Sequence, residues 1–115
     1  MTGQPIEIVQ RQLECYNRRD LDAFCACFSE DVALYEWDAA TPNYAGKAAL
    51  RERYRHLFEH SPALNCQLAN RIALGRVVVD HERITGRMGE PEVLEILAVY
   101  DVADGLIRSI RFVRP

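Results

Sequence analysis

The chain has 115 residues, of which 49% are hydrophobic, and its 14 basic and 17 acidic residues give a net charge of −3. This length and apolar content suit one domain with its own core, so we predict a single domain over residues 1–115. Because the basic residues are scattered among the acids and form no stripe, nucleic acid is excluded as an expected partner.

The opening segment MTGQPIEIVQ lacks the basic head and the apolar run of a signal peptide. No apolar stretch approaches the roughly 20 residues that are needed to cross a bilayer. We therefore expect a cytoplasmic protein that has no membrane partner.

The sequence contains four cysteines, which are Cys15, Cys25, Cys27 and Cys66. No CxxC pair and no paired histidine spacing accompanies them, so neither a zinc site nor a disulfide framework is indicated. We interpret them as reduced thiols of the core, and no cofactor is expected.

Three amphipathic helices are predicted from the spacing of apolar residues. The first begins at Gln4 or Pro5 and ends near residue 17, with a buried stripe of Ile6, Val9, Leu13 and Tyr16. The second follows Asp20, whose carboxylate can accept from free backbone donors, and ends at residues 29–31. The third covers residues 47–60.

Five segments alternate with a period of two and are predicted to be strands: 32–37, 64–72, 77–86, 93–102 and 106–114. Turn residues separate the last four, including Gly75-Arg76 and the hairpin signal Asp104-Gly105, so these strands should be consecutive and antiparallel. Early helices followed by late strands predict an α+β fold, with the helices packed on one face of a strongly bent, mainly antiparallel sheet.

The last two strands are apolar on both faces, as Leu97 and Val99 show against Ile96 and Ala98. Three helices can cover only one face of the sheet. We therefore expect a twofold homodimer through the outer sheet face, which is the commonest way to cover the other one.

Acidic residues of two predicted strands are candidates for a functional site. Glu36 shares a face of the first strand with Val32 and Leu34, which places a carboxylate among hydrophobes. In the run 80–82, Asp and Glu share one strand face while His81 points away, so a three-ligand metal site is not expected there.

The order helix, helix, strand, helix and four strands, together with YNRRDLDAFCACFSEDV and YAGKAALRERY, resembles the nuclear transport factor 2-like superfamily. Its enzymes include steroid delta-isomerases and polyketide cyclases. The resemblance extends over residues 9–113 and implies a cone-shaped fold with an internal cavity. It implies no single activity, because this fold hosts isomerases, dehydratases, hydrolases and binding modules.

Comparison with the steroid isomerases implies particular site residues. Their proton-shuttling aspartate corresponds to Glu36, and a supporting tyrosine of the third helix corresponds to Tyr54. The principal tyrosine of their oxyanion hole corresponds to Gln12, and the protonated aspartate that assists it falls near Ala98. Half of that machinery is absent, although the amide of Gln12 could still donate weakly to a developing enolate.

The resemblance also makes the even-numbered strand residues face the cavity, among them Asn70. The ligand-facing residues that it implies are Tyr16, Trp37, Asp80, Glu82, Ala98, Tyr100 and Arg108. Because unpaired carboxylates are costly in a low-dielectric cavity, at least one of these acids should have a raised pKa or pair with Arg108. A register slip of one residue would instead bring His81 and Arg83 inside.

Two functions are compatible with these observations. In the first, an isomerase- or lyase-type enzyme uses Glu36 to remove a proton next to the carbonyl of a small hydrophobic molecule, while Tyr54 or Gln12 stabilises the charge that forms. In the second, the same cavity belongs to a non-catalytic module for ligand binding or dimerisation.

Overall fold

The structure is a computed structural model that describes residues 4–115. The first three residues of the expected domain and of the opening segment lie outside the described part. The helices are α1 (Pro5–Arg18), α2 (Leu21–Cys25) and α3 (Lys47–Glu59). The strands are β1 (Phe28–Glu36), β2 (Tyr44–Ala45), β3 (Asn65–Leu74), β4 (Val77–Thr85), β5 (Leu94–Ala103) and β6 (Leu106–Val113).

The six strands form one sheet in the order β2-β1-β6-β5-β4-β3. All neighbours are antiparallel except β1 and β6, which run parallel. Helix α1 contacts β3 to β6, and α3 contacts β1 and β2. The predicted α+β class, with three helices on a mainly antiparallel sheet, is confirmed. Within residues 4–115, no helix is long and apolar enough to span a membrane.

The second helix is shorter than predicted, and the first strand begins earlier. Asp20 caps α2 as expected, accepting from the backbone N–H of Ala23 at 3.2 Å, but the helix ends at Cys25. A five-residue helix has little stability of its own. Pairing with β6 supplies backbone partners from Cys27 onwards, where the carbonyl accepts from the N–H of Ile107 at 2.9 Å.

The buried stripe of α1 also differs from the prediction at one position. Ile6 is 44% exposed, and Ile8 takes its place in the core beside Val9 and Leu13. All four cysteines are buried and free, as the sequence indicated.

The register of β4 settles which of its side chains point inward. Val78, Asp80, Glu82 and Ile84 are buried, whereas Arg83 is exposed. The alternative register, in which His81 and Arg83 face the interior, is therefore wrong.

A bulge in β3 reverses the face that this strand presents. Leu68 is opposite Glu82, but Asn70 is opposite His81, so one residue of β3 is left unpaired between them. Beyond the bulge the odd-numbered residues turn inward, and Arg71 lies opposite Asp80. Asn70, which was expected to face the cavity, is exposed as a result.

Candidate functional site

A cavity of about 380 Å³ lies between the helices and the inner face of the sheet. Helix α1 contributes Leu13 and Tyr16, and α3 contributes Tyr54 to its walls. Its exposed lining residues mark where the cavity meets solvent, and they include Arg53, Arg87 and Arg114. Its volume is within the range of small-molecule sites.

Packed aromatic rings fix the helical wall of this cavity. The ring of Tyr16 lies 5.7 Å from that of Phe58 and 6.3 Å from that of Tyr54, both edge-on. Phe24 of α2 lies 4.6 Å from Tyr54, measured between ring centroids. These contacts restrain the positions of the two tyrosines.

Glu82 is the carboxylate of this cavity. It is 5% exposed and lines the wall from β4. Burial, assisted by the negative charge of Asp80, raises the pKa of Glu82 to about 7, because both disfavour its anion. Hydrogen bonds with Cys66 and Tyr100 act in the opposite direction, and the Tyr100 hydroxyl donates to Oε2 at 3.4 Å.

Asp80 is buried next to this site but does not line the cavity. Arg71 donates to both of its oxygens, from Nε at 2.6 Å and from Nη2 at 2.9 Å, and also donates to Gln10 at 2.9 Å. The expected partner, Arg108, instead pairs with Asp104 and Asp31. The pKa of Glu82 is raised, as predicted for at least one of the acids. Asp80 is instead paired with Arg71, which the sequence did not indicate.

Four tyrosines line the cavity and can act as hydrogen-bond donors: Tyr16, Tyr44, Tyr54 and Tyr100. Burial raises the pKa of each hydroxyl above its ordinary value of 10. They therefore keep their protons at neutral pH. Gln12 also lines the cavity, and its side-chain amide donates to the Val9 carbonyl at 3.2 Å.

The structure corrects the expected position of Glu36. This residue ends β1 outside the cavity lining, and its side chain is 39% exposed. Arg114 donates to both carboxylate oxygens, at 2.8 and 3.2 Å, and Asn43 donates at 3.2 Å. The hydrogen bonds from Arg114 lower the pKa of Glu36, so this carboxylate holds its proton more weakly than usual.

Other residues implied by the resemblance also lie away from the cavity lining. Trp37 is 54% exposed, and Ala98 is fully buried within the sheet core. Arg108 is held by its acidic partners at the surface. Within the described residues, no group of three His, Cys, Asp or Glu side chains is arranged to hold a metal ion.

The loop between β4 and β5 contributes Arg87 and Met88 to the cavity lining. The sequence pattern did not indicate these two residues. Gly86 has a φ of +72°, and an added Cβ would lie 2.2 Å from the Ala63 carbonyl oxygen. Two residues on, the backbone N–H of Met88 donates to the buried Ser61 hydroxyl at 2.8 Å. These contacts hold Arg87 and Met88 against the cavity.

Replacing Gly86 with Ala is expected to destabilise the protein more than replacing Gly89. Both glycines have a φ of +72°, so each alanine costs about 1–2 kcal/mol of backbone strain. Only Gly86→Ala adds a backbone clash, worth a further ~1–3 kcal/mol. Thermal unfolding of both variants measures the difference, and equal losses would show that the close approach to Ala63 is unimportant.

The fold and the cavity define a small α+β pocket protein in which helices close a curved sheet over a buried carboxylate. The sequence profile of the SnoaL-like domain matches residues 9–110, so the chain belongs to this family, within the nuclear transport factor 2-like superfamily. A search of curated protein sequences finds no significant match.

Solved structures share the fold over nearly the whole chain. An uncharacterised cystatin-fold protein from Novosphingobium aromaticivorans has 20% identity and a TM-score of 0.87, with 99% of each chain covered. A candidate ketosteroid isomerase from Kribbella flavida has 21% identity and a TM-score of 0.81, covering 99% of this chain and 79% of its own. A candidate polyketide cyclase from Xanthomonas campestris has 25% identity and a TM-score of 0.74, covering 96% and 90%.

Proposed function

We propose that the protein is an isomerase- or lyase-type enzyme in which Glu82 transfers a proton on a small, largely apolar carbonyl compound. One observation carries this proposal: a buried carboxyl group with a pKa of about 7 faces a cavity whose walls include many apolar and aromatic side chains. A base whose pKa is near the working pH is the most effective, because it is partly ionised yet still basic. Strongly shifted carboxyls in clefts also concentrate at functional sites.

The chemistry follows from the groups around Glu82. Its anion takes a proton from the carbon next to the substrate carbonyl, and the electron pair left behind moves onto the carbonyl oxygen as an enolate. A neutral tyrosine hydroxyl, from Tyr16 or Tyr54, donates to that oxygen and stabilises its charge. The Glu82 carboxylic acid then returns the proton at another carbon or to a leaving group.

The structural neighbours support this substrate class. One is described as a ketosteroid isomerase and another as a polyketide cyclase, and both names refer to compounds that carry ketone groups. The second candidate function is non-catalytic binding of a hydrophobic ligand. It is favoured by the apolar walls of the cavity and by the proton that Glu82 retains below pH 7.

Exchange of α-protons distinguishes the two functions without knowledge of the natural substrate. The probe is 2-tetralone, a neutral bicyclic ketone, in deuterium oxide, with exchange followed by proton NMR. An enzyme should accelerate exchange above the buffer rate in proportion to its concentration. A pure binding module should bind the ketone without accelerating exchange.

The rate of this exchange is expected to rise with pH through about 7 and then level off. Only the anion of Glu82 can accept a proton, and the anion predominates above its pKa. Glu36→Gln should leave both the rate and the profile unchanged, because Glu36 lies outside the cavity lining. A midpoint near 4, or loss of the reaction in Glu36→Gln, would assign the base to another group.

We also propose a homodimer through the outer face of the sheet. Val79 pairs with Val99, and Leu97 pairs with Val113, so four apolar side chains lie together on this face and are only partly buried. Light scattering should give twice the 13.2 kDa mass of one chain. Val99→Glu should yield monomers, whereas Ile6→Glu, on the exposed side of α1, should not. A monomeric wild type would contradict the proposal.

A cytoplasmic location is proposed on the state of the thiols. All four are free and buried, which suits a reducing compartment. Cell fractionation tests this directly, and recovery in a secreted fraction would contradict it.

A further inference from the structure

We infer that the substrate is a carboxylic acid whose carboxylate is bound by Arg53 and Arg87 at the mouth of the cavity, while its apolar body extends towards Glu82. This inference rests on the proposed function, since it names the substrate class of the same site. The carboxylate would be the handle that orients the molecule, separate from the carbonyl at which the proton moves.

The charges around the cavity are the first observation. The lining includes the guanidinium groups of Arg53, Arg87 and Arg114, but Glu82 is its one carboxylate among the described residues. The chain as a whole has a net charge of −3, so this excess of positive charge is local. An anionic ligand would be attracted to this mouth although the protein itself is acidic.

Two of these arginines have no charged partner. Arg114 is occupied by Glu36, but across residues 4–115 neither Arg53 nor Arg87 forms an ion pair or donates a side-chain hydrogen bond to the protein. In contrast, Arg51 and Arg55, on the same helix as Arg53, both pair with acids. Of the three arginines that line the cavity, Arg53 and Arg87 are therefore the ones left available.

The fold positions the Arg53 guanidinium and the backbone that carries Arg87. The Arg53 guanidinium lies over the Tyr44 ring, with its carbon 4.5 Å from the ring centroid. Stacking uses the face of the guanidinium and leaves its N–H edge free for a carboxylate. Arg87 lies on the loop that Gly86 and Ser61 fix, and its positive charge lowers the pKa values of Tyr16 and Tyr54, against the larger effect of burial.

The distribution of charge orients the ligand in one direction. Glu82 is 5% exposed and repels an anion once it ionises, while Arg53 and Arg87 are exposed lining residues. A ligand carboxylate is thus stabilised beside the exposed arginines and disfavoured beside the buried Glu82. One water occupies ~30 Å³, so a cavity of 380 Å³ has room for about a dozen non-hydrogen atoms of a ligand. A bicyclic aromatic acid has this size.

The test compares 2-naphthoate with 2-naphthamide, two probes of the same shape that differ in charge. Calorimetry at pH 6 keeps Glu82 largely protonated while the naphthoate remains ionised. We expect naphthoate to bind at least about tenfold more tightly than the amide. The double variant Arg53→Gln/Arg87→Gln should remove this preference by weakening naphthoate alone.

Arg11→Gln is the matched control, since Arg11 is an exposed arginine that lines no part of the cavity. It should keep the wild-type preference. Equal affinities of wild type for the two probes, no measurable binding of naphthoate, or equal weakening of both probes in the double variant would overturn the inference. Failure of the proposed function would appear elsewhere, as an absence of Glu82-dependent exchange of the neutral ketone 2-tetralone, because naphthoate binding is measured without turnover.

Discussion

Replacing Glu82 with Gln is expected to slow α-proton exchange of 2-tetralone by about 10²- to 10⁴-fold, the usual contribution of a general base. The amide keeps the size and the hydrogen-bonding capacity of the side chain but cannot accept the proton. Binding of 2-tetralone should change little, because glutamine has nearly the size of glutamate and the other lining residues are unchanged. Exchange rates and calorimetric affinities of the two proteins measure both parts. Retained exchange would show that another group is the base.

The same substitution should stabilise the protein at alkaline pH. The pKa of Glu82 is raised from 4.5 to about 7 by folding, so the folded state holds this proton more tightly than the unfolded state does. The resulting stability is fully present below about pH 4.5 and is lost as the pH rises through about 7. At pH 8 the buried anion then costs up to about 3 kcal/mol relative to a neutral group.

Urea unfolding at pH 4.5 and pH 8 tests this stability difference. Glu82→Gln should have nearly wild-type stability at the lower pH and exceed it at the higher one. Glu36→Gln is the control with the opposite sign. Hydrogen bonds from Arg114 lower the pKa of the Glu36 carboxyl, so its anion stabilises the folded protein above the ordinary pKa of glutamate. Glu36→Gln should therefore be less stable than wild type at pH 8. A Glu82→Gln variant that is less stable than wild type at pH 8 would contradict the account.

Asp80→Ala is expected to destabilise the protein by about 3–5 kcal/mol, the usual result of breaking a buried ion pair from one side. Asp80 is fully buried, and the Arg71 side chain is 13% exposed. Removing the carboxylate leaves a guanidinium with little water and only Gln10 as a partner. Urea unfolding at neutral pH measures the loss.

The chain provides a matched control for this effect. Arg76 donates to both oxygens of Asp101, at 2.7 and 3.0 Å, with nearly the same geometry but in an exposed position. Asp101→Ala should therefore cost less than about 1 kcal/mol. If the two alanine variants lose similar stability, burial is not what makes the Arg71 pair important.

A double variant separates the charge from the packing. Arg71→Met/Asp80→Leu should recover much of the stability that Asp80→Ala loses, because it removes both buried charges together. It should also lower the pKa of Glu82, since the charge of Asp80 raises it more than that of Arg71 lowers it. A shift of the exchange profile towards lower pH would measure this second effect.

Local pattern was sufficient to predict most elements of the fold. The third helix and the last four strands follow from apolar spacing and turn residues, and each ends within about two residues of its predicted end. The predicted first strand begins four residues late, because its start depends on pairing between Phe28 and Ile107, which are far apart in sequence. The parallel pairing of β1 with β6 could not be predicted either, because the two strands are far apart in sequence.

The candidate site was only partly accessible from sequence for the same reason. The family resemblance implied that Glu82 and Tyr100 face the cavity, where the structure has them. The sequence pattern could not reveal the bulge that turns Arg71 towards Asp80. The sequence pattern also could not show that Arg114, 78 residues away, donates hydrogen bonds to Glu36 at the end of β1. Each of these contacts joins residues that no local pattern connects.

The pKa of the Glu82 carboxyl is the most direct test of the account. Carbon-13 NMR titration of protein labelled at the glutamate side-chain carboxyl carbons, with Glu82→Gln to assign the signal, measures it in the folded protein. A value of about 7 is predicted for Glu82, together with a lowered value for Glu36, whose carboxylate accepts from Arg114. A value near 4.5 for Glu82 would mean that its carboxylate is ionised at little cost, and the proposed base would then have no basis.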